Sequence, residues 1–219
     1  MTGLSNSPRL LKAGLVLLDK DSQVPRTIIV LQYNPETLTR TLAPQAIGAE
    51  GGDRSSPLRL KAPPRETIKI DAEIDASDQL AFPDQNPEAT RSGIHRELAA
   101  LEIVLYPPSD RLLANNLLAN LGTLEIAPIE APLMLFVWGE TRVLPVQITE
   151  FSITEEAFDP ALNPIRAKVS LGFRVLNVND LGFEHRGGGA FMAYLRTKEQ
   201  LARSFRSGAL SELGIGRLP

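Results

Sequence analysis

The 219-residue sequence contains no cysteine. This excludes disulfides, thiolate metal sites and cysteine nucleophiles, and it fits a chain that folds in the cytosol. Histidine is almost as scarce, with His95 and His185 as the whole imidazole supply. Neither has the second histidine four residues on that a zinc-binding helix needs. Long apolar runs are missing as well. Leu15 to Leu18 is interrupted at once by Asp19, Lys20 and Asp21, and no stretch reaches the roughly 18 apolar residues of a spanning helix. Neither sign of charge dominates. Twenty-three Lys and Arg against 26 Asp and Glu leave a net charge of -3, so no overall field favours nucleic acid or a membrane surface.

The remaining motifs that could carry chemistry fail on their spacing. "DAEIDASDQLAF" resembles a calcium loop at Asp71, Glu73 and Asp75. However, Ala76 stands where a glycine must turn the chain, and Phe82 where a bidentate glutamate is needed. "RGGGAF" precedes a helical pattern but lacks the lysine and hydroxyl residue of a phosphate loop. Glu155 and Glu156 are adjacent, so on a strand they point to opposite faces, a poor arrangement for a paired acid and base. The reading is therefore of a protein that is not an enzyme, with no catalytic, metal or cofactor-binding residues assigned and no cofactor.

What the chain does contain is alternation. Residues 11–18 and 26–33 read as strands joined by "DKDSQVP". Ile28 to Leu31 is apolar on both faces, which predicts a strand covered on two sides. Asn34 and Pro35 stop it, since proline lacks the donor that a ladder needs. Residues 43–65, rich in glycine, proline and charge, read as a long surface loop. From Glu66 to Asp78 alternation is strict, with Ile68, Ile70, Ala72 and Ile74 on one face and Lys69, Asp71, Glu73 and Asp75 on the other. A helix is expected from about Ser92 to Tyr106, striped by Ile94, Leu98, Leu101 and Leu105 and ended by Pro107-Pro108. A weaker helical segment covers Asp110 to Leu121. Strands resume at "PLMLFVWG" and "TRVLPVQITEFSITEE". In the second, Phe151 and Ile153 fall out of phase with Leu144, Val146 and Ile148, so a bulge is expected near Thr149-Glu150. "NPIRAKVSLGFRVLNVND" is the clearest strand, and its outer face is basic. Beside the acidic Glu66–Asp78 strand those charges would pair, each pair contributing modestly.

Past Asp180 the character changes. "EHRGGGAF" reads as a flexible joint, dividing a β-rich body, residues 1–183, from a helical tail, residues 184–219. In the tail Phe191, Tyr194, Leu195, Lys198, Leu201, Ala202 and Phe205 recur at helical spacing. From Arg186 onward six Arg or Lys stand against two Glu, a net of +4 that leaves the body near -7. Such a tail can pack on its own body, dock on a partner protein, or lie on an acidic membrane.

Five blocks in order carry a resemblance: "LQYNPETLTRT", "PPRETIKIDAEIDASD", "ELAALEIVLYPPS", "LMLFVWGETRVLPVQITEFSITEEAFDPALNPIRAKVSLGFRVL" and "VNDL". Over roughly residues 10 to 182 the chain resembles the tube-type domain of contractile injection systems, phage-tail-like particles with an inner tube, a sheath and a baseplate. The resemblance implies a mainly β, α+β fold: a tail-tube-like antiparallel β-barrel or sandwich with one packed helix, here followed by the helical tail. It implies a structural component working as an oligomeric ring, hexameric by resemblance. Relatives with so strong a "SITEE.FDP.LNPIRA" run usually belong to the baseplate hub, contacting spike, inner-tube and baseplate wedge proteins. They commonly carry a LysM module after the tube-type domain, for which the roughly 35 residues following "VNDL" leave too little room. A hub adaptor is therefore expected, with an inner-tube subunit or tube initiator as the alternative. Localisation would be cytoplasmic on synthesis, then in a particle, without nucleic acid and without direct membrane insertion. Candidate assembly contacts are Tyr33, Asn34 and Pro35 at the end of the second strand, and Phe191, Tyr194, Leu195 and Phe205 on the tail helix.

Overall fold

The structure, a computed structural model, describes residues 10–19, 22, 24–46, 60–120, 122 and 131–218. Its strands are β1 (Gly14–Leu18), β2 (Pro25–Val30), β3 (Leu38–Ala46), β4 (Leu60–Asp75), β5 (Met134–Val137), β6 (Val143–Phe158) and β7 (Pro164–Val175). They form one seven-stranded sheet in the order β2-β1-β5-β6-β7-β4-β3, with every neighbouring pair antiparallel. Short helices α1 (Ser77–Leu80), α2 (Pro87–Ser92), α3 (His95–Glu102) and α4 (Ser109–Asn120) connect β4 to β5. Helices α5 (Val178–Leu181) and α6 (Arg186–Arg203) follow β7.

Alternation builds the core. Ile68, Ile70, Ala72 and Ile74 of β4 are buried beside Ala167, Val169, Leu171 and Phe173 of β7, as the period of two dictates. Phe136 of β5 stacks on Phe173 with ring centroids 5.1 Å apart. Helix α3 closes one part of this face with Ile94, Leu98 and Leu101, and α6 adds Phe191 and Tyr194. The expected bulge is present: register shifts between Ile148 and Glu150, which lets Phe151 and Ile153 rejoin the core side.

The sheet does not close into a barrel. Among the described residues no ladder joins β2 to β3, the two edges. What brings the two sides of the sheet together is the Gln32 side-chain amide just past β2, while the Asn34 amide ties the same segment to the residues that lead into β1. Gln32 donates from Nε2 to the Asp75 carbonyl at 2.7 Å and accepts the Asp75 N–H on Oε1 at 2.9 Å. Asn34 accepts the Ala13 N–H on Oδ1 at 2.9 Å and donates from Nδ2 to the Leu11 carbonyl at 2.8 Å. Each amide reproduces the donor–acceptor pair of one strand residue. A side chain offers that pair once, so the contact clasps without starting a ladder. Pro35 then removes the next possible donor.

Four other expectations are corrected. Residues 43–46 and 60–65 are not loop but the distal parts of β3 and β4, paired with shifted register around Pro44 and Pro63; the remainder of that segment, residues 47–59, lies outside the described residues. Strand β2 is not covered on both sides, since Ile28 and Val30 are 63% and 56% exposed. The helix expected from Ser92 is interrupted: Gly93 takes φ 55° between α2 and α3, and a Cβ there would stand 2.1 Å from the Pro164 carbonyl oxygen. Finally, the glycine triplet is no flexible joint. Gly187, Gly188 and Gly189 lie in the first turn of α6, the first two buried. The helix needs them small, because a Cβ on Gly188 would meet the Gly182 carbonyl oxygen at 1.9 Å.

This packing sets apart two adjacent positions. Gly188→Ala is expected to cost about 1–3 kcal/mol through overpacking. Gly189→Ala, where a Cβ meets nothing within 4 Å, should be neutral or stabilising by up to about 1 kcal/mol through helix propensity. Urea titrations of the two variants check this; equal behaviour would restore the flexible joint.

Candidate assembly surfaces

The outward face of β4, β7 and β6 is wet. Successive rows across these strands read Asp75, Arg166, Glu156; Glu73, Lys168, Thr154; Asp71, Ser170, Ser152; and Lys69, Gly172, Glu150. No apolar side chain occurs in them. Charges pair across strands as expected for an acidic strand beside a basic one: Arg166 Nε lies 2.8 Å from Asp75 Oδ2, and Lys168 Nζ 3.1 Å from Glu156 Oε1. Lys69 and Glu150 meet at 2.6 Å over Gly172, whose missing side chain leaves room for the bridge. Exposed pairs of this kind contribute little stability each. Hydrogen bonding from Ser77 is the largest effect on the Asp75 carboxyl; burial opposes it, and with the added hydrogen bond and charge of Arg166 the carboxyl is held below the usual carboxylate range.

Behind the sheet sits a different kind of charge. Glu66 lies on β4 in phase with Ile68 and Ile70, and is 3% exposed. Arg40 of β3 approaches its Oε1 to 2.6 Å, and Lys198 of α6 lies 3.3 Å from Oε2. The Tyr194 hydroxyl accepts from Arg40 at 2.8 Å and donates to Glu66 at 3.3 Å, while the Lys198 ammonium sits 4.2 Å from the Tyr194 ring centroid. One carboxylate thus ties α6 to the β3–β4 edge. A carboxylate on the apolar phase of its strand was the signal available for Glu66, and Arg40 gave the same signal between Leu38 and Leu42.

Apolar side chains are exposed elsewhere. They include Ile28 and Val30 on the β2 edge, Phe158 and Leu162 at the β6–β7 hairpin, Ile103, Tyr106, Leu113 and Leu117 on and before α4, and several residues past α6. The hairpin tip is held by Asp159, whose carboxylate accepts from the N–H groups of Ala161 and Asn163 and from the Asn163 amide. Those bonds, from Asn163 first, keep the Asp159 carboxyl low. Leu162 there adopts φ 65°, a strained conformation for leucine.

The expected contacts divide. Tyr33 and Phe205 are exposed. Asn34 is occupied by the clasp and Pro35 is half-buried beside it. Phe191 and Tyr194 are buried and Leu195 packs on the core, so these three serve the fold itself. His185 caps α6, its Nδ1 accepting the Gly187 N–H at 3.1 Å, and His95 is exposed at the start of α3. Among the described residues no group of three or more His, Cys, Asp or Glu could hold a metal ion. A groove of about 740 Å³ between β5, β6 and α5 is lined by Met134, Val146, Ile148, Arg174 and Asp180, with Arg174 and Asp180 ion-paired.

Residues 11–180 match the family model described as contractile injection system tube protein. The chain belongs to that family. No match is found among curated proteins. The tube-protein match spans β1 to α5, and α6 lies beyond it. Membership supports a structural role in a multi-subunit injection particle. No helix among the described residues is long and apolar enough to cross a membrane.

Two outcomes follow. Glu66→Gln should destabilise the chain by about 2–4 kcal/mol, near the cost of breaking a buried pair, moderated because Arg40 and Lys198 are 25% and 34% exposed; chemical denaturation reads this. For Asp75, a lowered folded-state pKa means its stabilisation is complete above the unfolded value of about 4 and is lost as pH falls through the folded value. Acid titration of Asp75→Asn should therefore show a shallower loss of stability below about pH 4 than the wild type.

Proposed function

We propose that this tube-family chain is a baseplate-hub adaptor of a contractile injection system, connecting spike and inner tube to the surrounding baseplate. It works by shape and non-covalent contact. The observation that carries the assembly reading is the pair of unpaired sheet edges, one of them lined by exposed Ile28 and Val30. Bare apolar edges are an association hazard unless another strand covers them. Because β2 and β3 are different surfaces, edge joining between copies is heterologous and closes only as a ring. Six copies is the number the resemblance suggests. The polar face of β4, β7 and β6 suits the wall of a water-filled lumen, and the buried core would take no part in contact.

The hub position is favoured over a repeating tube subunit by what exceeds the family match: α6, latched through Glu66, and the exposed residues that follow it. An inner-tube subunit or tube initiator is the second reading, favoured by the family description itself. Mixing the chain with sheath-free tubes separates the two. An adaptor caps one end and stops growth, whereas a tube subunit lengthens the polymer.

Edge pairing predicts the effect of one charge. Ile28→Lys places an ammonium on the β2 edge without touching the core, so the monomer should keep its stability within about 0.5 kcal/mol and lose ring formation. Sedimentation velocity and negative-stain imaging give the answer; rings unchanged in Ile28→Lys would remove β2 from the interface.

A further inference from the structure

The strand count fixes a direction. The order β2-β1-β5-β6-β7-β4-β3 has seven strands, and every neighbouring pair is antiparallel. With an odd number the two outer strands, β2 and β3, run the same way. A rotation that closes a ring larger than a dimer keeps every copy the same way up. The open edge of β3 on one copy therefore meets the open edge of β2 on the next running parallel. Only a two-fold axis sets such edges antiparallel.

Backbone phase gives the same answer. On β2, Thr27 and Ile29 pair with buried Leu17 and Leu15 on the core side, so Ile28 and Val30 point to the outer face. Leu31 donates its N–H to Ala13. By alternation Ile28 and Val30 turn their N–H and C=O groups away from β1, to the open edge. On β3 the relation is reversed. Ala76 donates to Ile165 at 2.9 Å, so the even-numbered residues of β4 bond β7, and Asp75 and the other odd-numbered ones turn toward β3. The Gln32 amide bonds Asp75 from that side. Thr39 and Thr41, opposite Lys69 and Thr67, therefore bond β4 and carry their side chains on the outer face. Leu38, Arg40 and Leu42 present their N–H and C=O groups at the open edge. In a parallel ladder a residue whose backbone faces the partner strand sits beside one whose backbone faces away. Ile28 beside Thr39, and Val30 beside Thr41, meet that condition with every side chain on one face. An antiparallel joint would set the outer face of β2 against the core face of β3.

We infer that copies of this chain join through a parallel ladder, with Ile28 and Val30 of one copy beside Thr39 and Thr41 of the next. The Ile28 N–H donates to the Leu38 carbonyl of the next copy, and the Ile28 carbonyl accepts from its Arg40 N–H. Val30 likewise donates to the Arg40 carbonyl and accepts from the Leu42 N–H. Pro44 selects this register. Sliding β2 by one pleat toward the end of β3 would require the N–H that Pro44 lacks, and sliding it the other way would require Glu36, which precedes the strand. The residues set side by side on the outer face are all β-branched, the type that suits a pleated surface. A parallel joint gives the ring two different ends, as a hub between spike and tube requires. The inference rests on the edge-joining reading and adds direction and register to it.

The chain has no cysteine, so single replacements report the joint. Ile28→Cys, Val30→Cys, Thr39→Cys and Thr41→Cys alter exposed side chains and are prepared as separate proteins, mixed in pairs and mildly oxidised. Intact mass then counts the disulfide-linked heterodimers. Ile28→Cys with Thr39→Cys, and Val30→Cys with Thr41→Cys, are expected to link. The crossed pairs, Ile28→Cys with Thr41→Cys and Val30→Cys with Thr39→Cys, lie about 8 Å apart by strand spacing and rise, beyond the reach of a disulfide. They should give no more heterodimer than Ile28→Cys with Thr154→Cys, an exposed control on the wet face of β6. Crossed pairs that link as strongly as the straight ones, one straight pair failing where the other links, or Ile28→Cys linking chiefly to itself would overturn the inference. Wild-type sedimentation at the same concentration separates this failure from that of edge joining. A wild type that self-associates with the crossed pairs linked loses the direction and keeps the edge. Self-association with no pair above the control, or a monomeric wild type, sinks both.

Discussion

An antiparallel sheet that curls until its sides touch, yet stops one ladder short of closure, has to leave its edges unsatisfied. Here the stopping device is chemical. The carboxamides of Gln32 and Asn34 each satisfy one backbone donor and one acceptor, on Asp75 to one side and on Leu11 and Ala13 to the other. Pro35 forbids the next bond. The curl is therefore fixed at one end while β2 and β3 remain free along their length. A closed barrel would bury these backbone groups within the chain and leave nothing to share.

The rest of the architecture follows from which surfaces stay wet and which stay bare. The outward rows of β4, β7 and β6 neutralise their charge locally, so that face loses little by remaining in water and would gain little from a partner. The buried Glu66 cluster does the opposite: it makes the position of α6 depend on the β3–β4 edge. Lys198 and Tyr194 report to the same carboxylate as Arg40. Anything that moves the β3 edge therefore acts on the helix, and so on the segment that leaves it.

Much of this was legible in the residues, and the failures are instructive. Strict alternation located β4 and β7, and the broken phase at Phe151 located the bulge, because a period of two ties side-chain identity directly to face. Pro44, Pro63 and Pro64 hid the distal hairpin of β3 and β4, since proline signals a break even where irregular pairing accommodates it. The glycine triplet misled for a related reason. Composition cannot tell a glycine that moves from one that is needed because a carbonyl oxygen stands in the place of its Cβ, and Gly188 is the second kind. The helix stripe of Phe191 and Tyr194 was correct in period but silent about destination, as an amphipathic helix packs equally well on its own sheet or on a partner's. Glu66 could have been found, as a carboxylate on the apolar phase of its strand.

The central claim is that the outer edge of β2, away from β1, is unpaired in the free chain and paired in the assembled particle. Leu31 donates its N–H inward to Ala13, so alternation turns the Ile28 and Val30 amides outward. Residue-resolved hydrogen–deuterium exchange of these two amides, compared between monomer and assembled ring, addresses the claim directly. The account predicts fast exchange in the monomer and strong protection on assembly, with the Leu31 amide protected in both. Protection of Ile28 and Val30 already in the monomer, or none in the ring, would contradict it.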